Sequence, residues 1–323
     1  MKVFAVSWVD DLLITSSNLQ LLNSVKGALL TMFKGRDLGV PTSYLGACIE
    51  CDRVHGTVKV SQSKYIEALS QRYDLHNCRP KSTPMPAGTI VDSRHEEEQD
   101  IKGEVPYQEL VGALLYAANV CRPDIACSVS MLARYSSNPS SRHWELLKGV
   151  LKYLHTTKNL GLVYSKGGGE IQCYVDSDYA TCRDTRRSRT GFVVLSAGGA
   201  VCWQSALQKV VANSTAEAEY IAASKAVKED IWLGRVAFTL GLKGPGPVNI
   251  MVDNQAALAI AKGSPMSAKT KHIAVAYHNV RTSVAHNQVV LQYVSSKEIT
   301  ADILTKAVTP EVFGHLRSKL GME

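Results

Sequence analysis

Four carboxylates in the C-terminal half of the sequence are placed where metal chemistry would need them. Asp176 lies at the end of the strand-like run in CYVDSDYA. Glu217 lies in the first turn of the helical pattern STAEAEY. Asp253 closes VNIMVD, and Asp302 lies in ADILTK beside the apolar Ile299 and Ile303. Strand ends and loops of α/β domains are where sites collect. Carboxylates within several Å of one another raise each other's pKa and oppose folding, and divalent cations remove that penalty. Hard ions such as Mg²⁺ favour oxygen ligands and keep part of their shell for water and phosphate oxygens. Two such ions ~4 Å apart can activate a water and stabilise the leaving oxygen of a phosphodiester. An all-carboxylate set points to this chemistry more than to zinc. Taken singly, each residue has a plainer reading. An Asp at a strand end caps a turn, and Glu217 suits the positive end of its helix. Spacing alone does not show that the four meet.

The elements around them read as an alternation of strand and helix. EIQCYVDSD, GFVVLSA and GAVCWQS read as strands, and STAEAEYIAASKAVKEDIWLGRVAFTLG reads as one long helix ending at Gly241. PVNIMVD is a strand. NQAALAIAKG is a helix with Asn254 as its cap and Gly263 as its stop. NQVVLQYV is a strand. SSKEITADILTKAV has Ser295 three residues before Glu298, a capping-box pattern that predicts a helix carrying Asp302. The order β-β-β-α-β-α-β-α defines a mixed α/β domain over residues 166–323.

Two further parts precede it. Residues 1–86 open with the apolar strand VFAVSWV, which stops at Asp10 and Asp11. A helical stretch from about Leu19 to Phe33 follows, then a hairpin in YLGACIECDRVHGTVKVSQ with its turn near Val54–Thr57. SKYIEALSQRYDL is an amphipathic helix, and RPKSTPMPAG is extended or looped. Residues 87–165 begin with the solvated acidic stretch DSRHEEEQD. Three helices follow, in YQELVGALLYAANV, RPDIACSVSMLARYSS and SRHWELLKGVLKYLHTT. This part has no catalytic-looking cluster and reads as a packing or connecting module.

The bulk numbers exclude little. The chain has 323 residues, 45% apolar and 20% charged, with a formal charge of +7 and a pI of about 8.9. That composition is ordinary for a soluble globular protein and compatible with a polyanionic partner. No secretory signal is read at the start, and no run of about 18 apolar residues occurs, so no membrane association and a cytoplasmic or nuclear location are expected. The eight cysteines are expected as reduced thiols. Cys48, Cys51 and His55 have a metal-like spacing, but Cys48 and Cys51 fall in a strand-like run where that spacing sends them to opposite faces.

The segments YVDSDYA, SRTGFVV, VCWQSALQKVVANSTAEAEYIA, VDNQAALAIAKG, TKHIAVAYHNVR and ADILTK occur in an order that resembles the RNase H domain of copia-type LTR retrotransposon polyproteins. The resemblance covers nearly all of residues 166–323. It implies an RNase H-like mixed five-stranded sheet with flanking helices. It implies Asp176, Glu217, Asp253 and Asp302 as catalytic metal ligands for two Mg²⁺ ions, with Mn²⁺ as an alternative. Asp178 and Glu219 are near neighbours that could be confused with the ligands, Asp178 being the alternative to Asp176. Residues 87–165 look like the thumb and connection of the same polyproteins. Residues 1–86 look like the end of their reverse transcriptase palm and the start of the thumb.

WVDDLLI is similar to the polymerase box usually written YVDD, which implies Asp10 and Asp11 as two of three metal-binding carboxylates. YLGACIE resembles the strand that holds the primer end. The third polymerase carboxylate lies far upstream in the family, so synthesis by this chain alone is not expected. Trp8 replaces the usual Tyr, and Ala307 stands where a proline commonly follows ADILTK. The implied reaction is Mg²⁺-dependent hydrolysis of the RNA strand of an RNA–DNA hybrid. Hybrid recognition would run through 2′-hydroxyls and phosphates, with little base reading. Candidate phosphate contacts are Arg186, Arg187, Arg189, Lys269, Lys271 and His272. The remaining Pol domains of a related element are the implied protein partners. A second reading stands beside this one: a catalytically silent, truncated retroelement remnant that at most binds nucleic acid.

Overall fold

The run RTGFVVLS is apolar almost throughout because both of its faces are covered, the condition under which a strand loses its polar alternation. It forms β8 (Arg189–Ser196), next to the centre of a five-stranded sheet. The computed structural model describes residues 2–75, 78–167, 170–261 and 274–323, without the side chains of 274–278. In it the sheet order is β11-β10-β7-β8-β9, with β7 (Gln172–Ser177), β9 (Gly199–Leu207), β10 (Val248–Val252) and β11 (Val289–Tyr293). The first three strands in sequence form an antiparallel meander. β10 then joins β7 in parallel, and β11 joins β10 in parallel. This is the mixed five-stranded sheet with flanking helices that the resemblance implies.

The period of two sorts the strand residues between two cores. Cys173, Val175, Phe192, Val194, Ile250 and Leu291 face α6 (Thr215–Leu240), α7 (Gln255–Ala261) and α8 (Ala274–Ala285). Tyr174, Val193, Leu195 and Trp203 face the other way. Their cover is α3 (Tyr107–Val120), α4 (Ala126–Ala133), α5 (Ser141–Thr156) and the C-terminal α9 (Pro310–Lys319). The helices of residues 87–165 therefore share one core with the sheet of residues 166–323. A buried Arg122–Asp124 pair ties this layer together. Tyr153 donates to Asp124, and Arg317 of α9 donates to the Tyr153 hydroxyl at 3.2 Å.

A second sheet runs β3-β4-β5-β6, with β3 (Ser43–Tyr44), β4 (Ala47–Asp52), β5 (Thr57–Ser61) and β6 (Gly161–Ser165). The β4–β5 hairpin and α2 (Ser63–Arg72) match the sequence expectation, whereas β6 and α9 are elements that it did not contain. Cys48 is half-buried and Cys51 exposed, as the alternation requires. Gly161 lies against β5 so closely that a Cβ there would sit 2.6 Å from the Val60 carbonyl oxygen. The chain's last residues close the gap between the sheets. Gly161 and Glu323 exchange backbone hydrogen bonds, and Ala200 donates to the Leu320 carbonyl.

The N-terminal segment is different in kind. β1 (Val3–Trp8) and β2 (Asp11–Ser16) form a separate two-stranded hairpin, followed by α1 (Leu19–Met32). No residue from Lys2 to Gly46 is buried, and Trp8, Leu19, Met32 and Phe33 are each more than half exposed. Among the described residues, no helix is long and apolar enough to cross a membrane.

Candidate metal centre

Strand register alone brings two of the carboxylates together. Ile250 pairs with Cys173 in the parallel β7–β10 ladder, a constant offset of 77 that carries Asp253 to the side of Asp176 (250 − 173 = 253 − 176). Adjacent strands lie about 4.8 Å apart, so the two side chains emerge as neighbours at the carboxyl ends of parallel strands. The third member comes from α6. Ligand oxygens of Asp176, Glu219 and Asp253 all lie within 4.8 Å of one another. The fourth comes from a 3-10 turn, Thr300–Leu304, packed under β7 and β8. Asp302 in that turn stands three residues before Thr305, whose hydroxyl donates to Asp176, and its charge is felt at the Asp176 carboxyl.

Each carboxylate is held by its own neighbour. The Thr305 hydroxyl donates to Asp176. The Ser296 hydroxyl donates to Asp253 at 2.7 Å. The Ser177 backbone N–H donates to Glu219 Oε1 at 3.2 Å, while Glu219 Oε2 is buried without a hydrogen-bond partner. The Lys306 ammonium lies 2.8 Å from Asp302 Oδ1. Gly191, paired with Asp176 across β7–β8, makes room for the turn. A Cβ there would stand 2.6 Å from Thr305 Cγ2, 2.9 Å from Leu304 Cβ and 3.0 Å from the Ala301 carbonyl oxygen.

The electrostatics follow from this crowding. Burial, then the neighbouring Asp302, pushes the Asp176 carboxyl well above the ordinary range. Burial, then Asp176 and Asp253, does the same to Glu219. Burial works against the Lys306 ammonium, but Asp176, Asp302 and Asp253 outweigh it and raise its pKa. A hard divalent cation fits these residues. The donors are all oxygen, they converge, and one buried carboxylate oxygen lacks any partner in the protein.

Three sequence expectations need correction. Glu217 does not face this pocket. Residues two apart on a helix point about 200° apart, so Glu217 and Glu219 cannot both face the sheet. Glu217 instead closes the N-terminus of α6. Its backbone N–H bonds the Ser214 side chain at 3.2 Å, and its Oε2 accepts from the Asn213 backbone at 2.9 Å. Arg189 is buried, with its guanidinium donating to Ser130 Oγ at 2.8 Å and Ser205 Oγ at 3.3 Å, so it pins α4 to β9 and is not open to a phosphate. The helix expected from Ser296 is only the short 3-10 turn carrying Asp302.

The remaining candidates divide. Asp178 accepts from Thr181 Oγ1 and the Arg189 backbone, closing the loop after β7. Arg186 is exposed in that loop and Arg187 half-exposed. Asp10 and Asp11 are exposed at the tip of the β1–β2 hairpin, and among the described residues they belong to no group of three metal-ligating side chains. Lys269, Lys271 and His272 lie outside the described residues.

A mixed α/β sheet with an acidic pocket at the ends of its parallel strands defines an RNase H-like protein. A family model described as reverse transcriptase (RNA-dependent DNA polymerase) matches residues 2–87. The retrovirus-related Pol polyprotein from transposon TNT 1-94 of Nicotiana tabacum is 38% identical over 99% of this chain. A putative transposon Ty5-1 protein of Saccharomyces cerevisiae is 32% identical over 70% of this chain and 73% of its own length. The chain belongs to the Pol polyproteins of copia-type retrotransposons, and it spans 24% of the length of the tobacco relative. A solved RNase H1 from Halobacterium salinarum aligns with 42% of this chain and 95% of its own, at 17% identity and a TM-score of 0.32. The fold class rests on the sheet order itself.

Proposed function

We propose that the chain is a retrotransposon-derived ribonuclease H that hydrolyses the RNA strand of RNA–DNA hybrids with two Mg²⁺ ions, Mn²⁺ being an alternative. The observation that carries this reading is the convergence of Asp176, Glu219 and Asp253 within 4.8 Å, with Asp302 on the turn that packs against β7. Asp176, Glu219, Asp253 and Asp302 would hold the ions. Bound divalent cations supply the water activation and charge neutralisation that phosphodiester hydrolysis needs. The chain's own contribution is positioning. Thr305 orients Asp176, Ser296 orients Asp253, and the Ser177 amide orients Glu219. Arg186 and Arg187, beyond β7, are the described candidates for holding phosphate. An RNA–DNA hybrid is the proposed substrate, and the remaining Pol domains of a related element are the proposed protein partners. We assign no DNA synthesis to this chain, because that chemistry takes three carboxylates and, among the described residues, Asp10 and Asp11 have no third beside them.

In the expected outcome, the full chain cuts a labelled hybrid in Mg²⁺, stops on addition of EDTA, and loses about 10²-fold or more of the rate in Asp253→Asn. Equal cleavage by Asp253→Asn would refute the assignment. A folded wild type inert in both Mg²⁺ and Mn²⁺ would favour the silent remnant.

A further inference from the structure

The acidic pocket carries its own cation. Lys306 follows Asp302 by four residues, and its ammonium lies 2.8 Å from Asp302 Oδ1, within electrostatic reach of Asp176 and Asp253. The backbone that presents it is fixed. Lys306 N–H donates to the Asp302 carbonyl at 3.2 Å, Thr305 is bonded to Asp176, and the turn packs on Gly191. The side chain is free to leave, being half-exposed on a flexible four-carbon stem. We propose that the Lys306 ammonium is a built-in counter-ion of the pocket that competes with divalent cations for Asp302 and so sets how tightly the pocket binds metal. This rests on the reading of the pocket as a divalent-cation site.

The physical reason is charge balance. Four carboxylates without a cation repel one another and oppose folding. An ammonium among them relieves that repulsion in the metal-free protein. A divalent ion arriving at the same oxygens meets a like charge a few Å away, which weakens its binding until the lysine swings out. Lys306 is thus a positioning residue that makes the apo pocket tolerable and keeps metal exchangeable.

The test is calorimetric titration of the full chain with MgCl₂ alone at fixed pH and ionic strength, alongside thermal melts with and without Mg²⁺. Lys306→Met is expected to bind Mg²⁺ about tenfold more tightly than wild type. It should also melt several degrees lower without metal, the gap closing at saturating Mg²⁺. Lys306→Arg, which keeps the charge, is expected to behave as wild type. If Lys306→Met does not fold without metal but folds when Mg²⁺ is added, the counter-ion role is supported. If it folds in neither condition, Lys306→Gln takes its place in the titration. Equal or weaker Mg²⁺ binding by the neutral variant overturns the inference. Where wild type still binds Mg²⁺ and Asp253→Asn does not, that result leaves the metal reading standing. A wild type that binds no Mg²⁺ overturns both.

Discussion

Two glutamates, two positions apart, show how much a single side chain's direction decides. Glu219 shares a stripe with Ala223, Ala226 and Asp230 at helical steps of four, three and four, the stripe that α6 turns to the sheet. Glu217 stands three residues after Ser214, an N-terminal capping pattern readable in the sequence itself. We predict that Glu219→Gln loses hybrid cleavage as fully as Asp253→Asn. Glu217→Gln should keep its rate within a few-fold and lose about 1 kcal/mol of stability in urea titration. Asp230, further along the stripe, is wholly buried with neither carboxylate oxygen hydrogen-bonded. Burial pushes its pKa up to about 7, against a smaller opposing pull from Lys243. The folded state therefore holds a proton that the unfolded chain has released, so stability falls as pH rises from about 4 to about 7 and then levels. Asp230→Asn is expected to stabilise the protein by about 2–4 kcal/mol at pH 8, with the gain fading toward pH 4. A gain independent of pH would show that the proton held by Asp230 is not its cause.

At the scale of elements, the pocket depends on a turn being let close to a strand. Gly191→Ala would drive a methyl group into Thr305, Leu304 and the Ala301 carbonyl. Overpacking of this kind costs about 1–3 kcal/mol. The turn it would push outward carries Asp302, Thr305 and Lys306, and a displacement near 1 Å can cost about 10²-fold in rate. Activity should thus fall further than stability, measured by kcat beside a urea midpoint. The sequence displayed the long helix, the hairpin and the strands because their periodicities are local. It hid β6, whose five residues become a strand by pairing with β5, a hundred residues earlier in the chain. It also hid the end of the Ser295 pattern. A capping box announces a helix start, but the segment packs between β7, β8 and α9 and keeps only one 3-10 turn. The β7–β10 offset that places Asp253 beside Asp176 was likewise invisible, since register comes from pairing and not from composition.

For the whole molecule, the division of the sequence at residue 165 does not coincide with a division of the core. Val193, Ala200, Ile303 and Phe313 share their apolar contacts with Leu110, Leu114, Leu147 and Leu151 of the helical layer. A fragment of residues 166–323 would uncover that whole sheet face, and we expect it to show no cooperative thermal transition where the full chain shows one. The N-terminal hairpin and α1 lie outside both cores, with no buried residue among the described residues before Ala47. A lone two-stranded hairpin is marginal in water, and so is a helix of about 14 residues. Amide hydrogens of Val3–Met32 accordingly trade with solvent through small, cheap openings. Those of β7, β8 and α6 wait for the molecule to come apart. A melting curve follows the second population, so the WVDD segment can fray and re-form many times at temperatures where the curve is still flat.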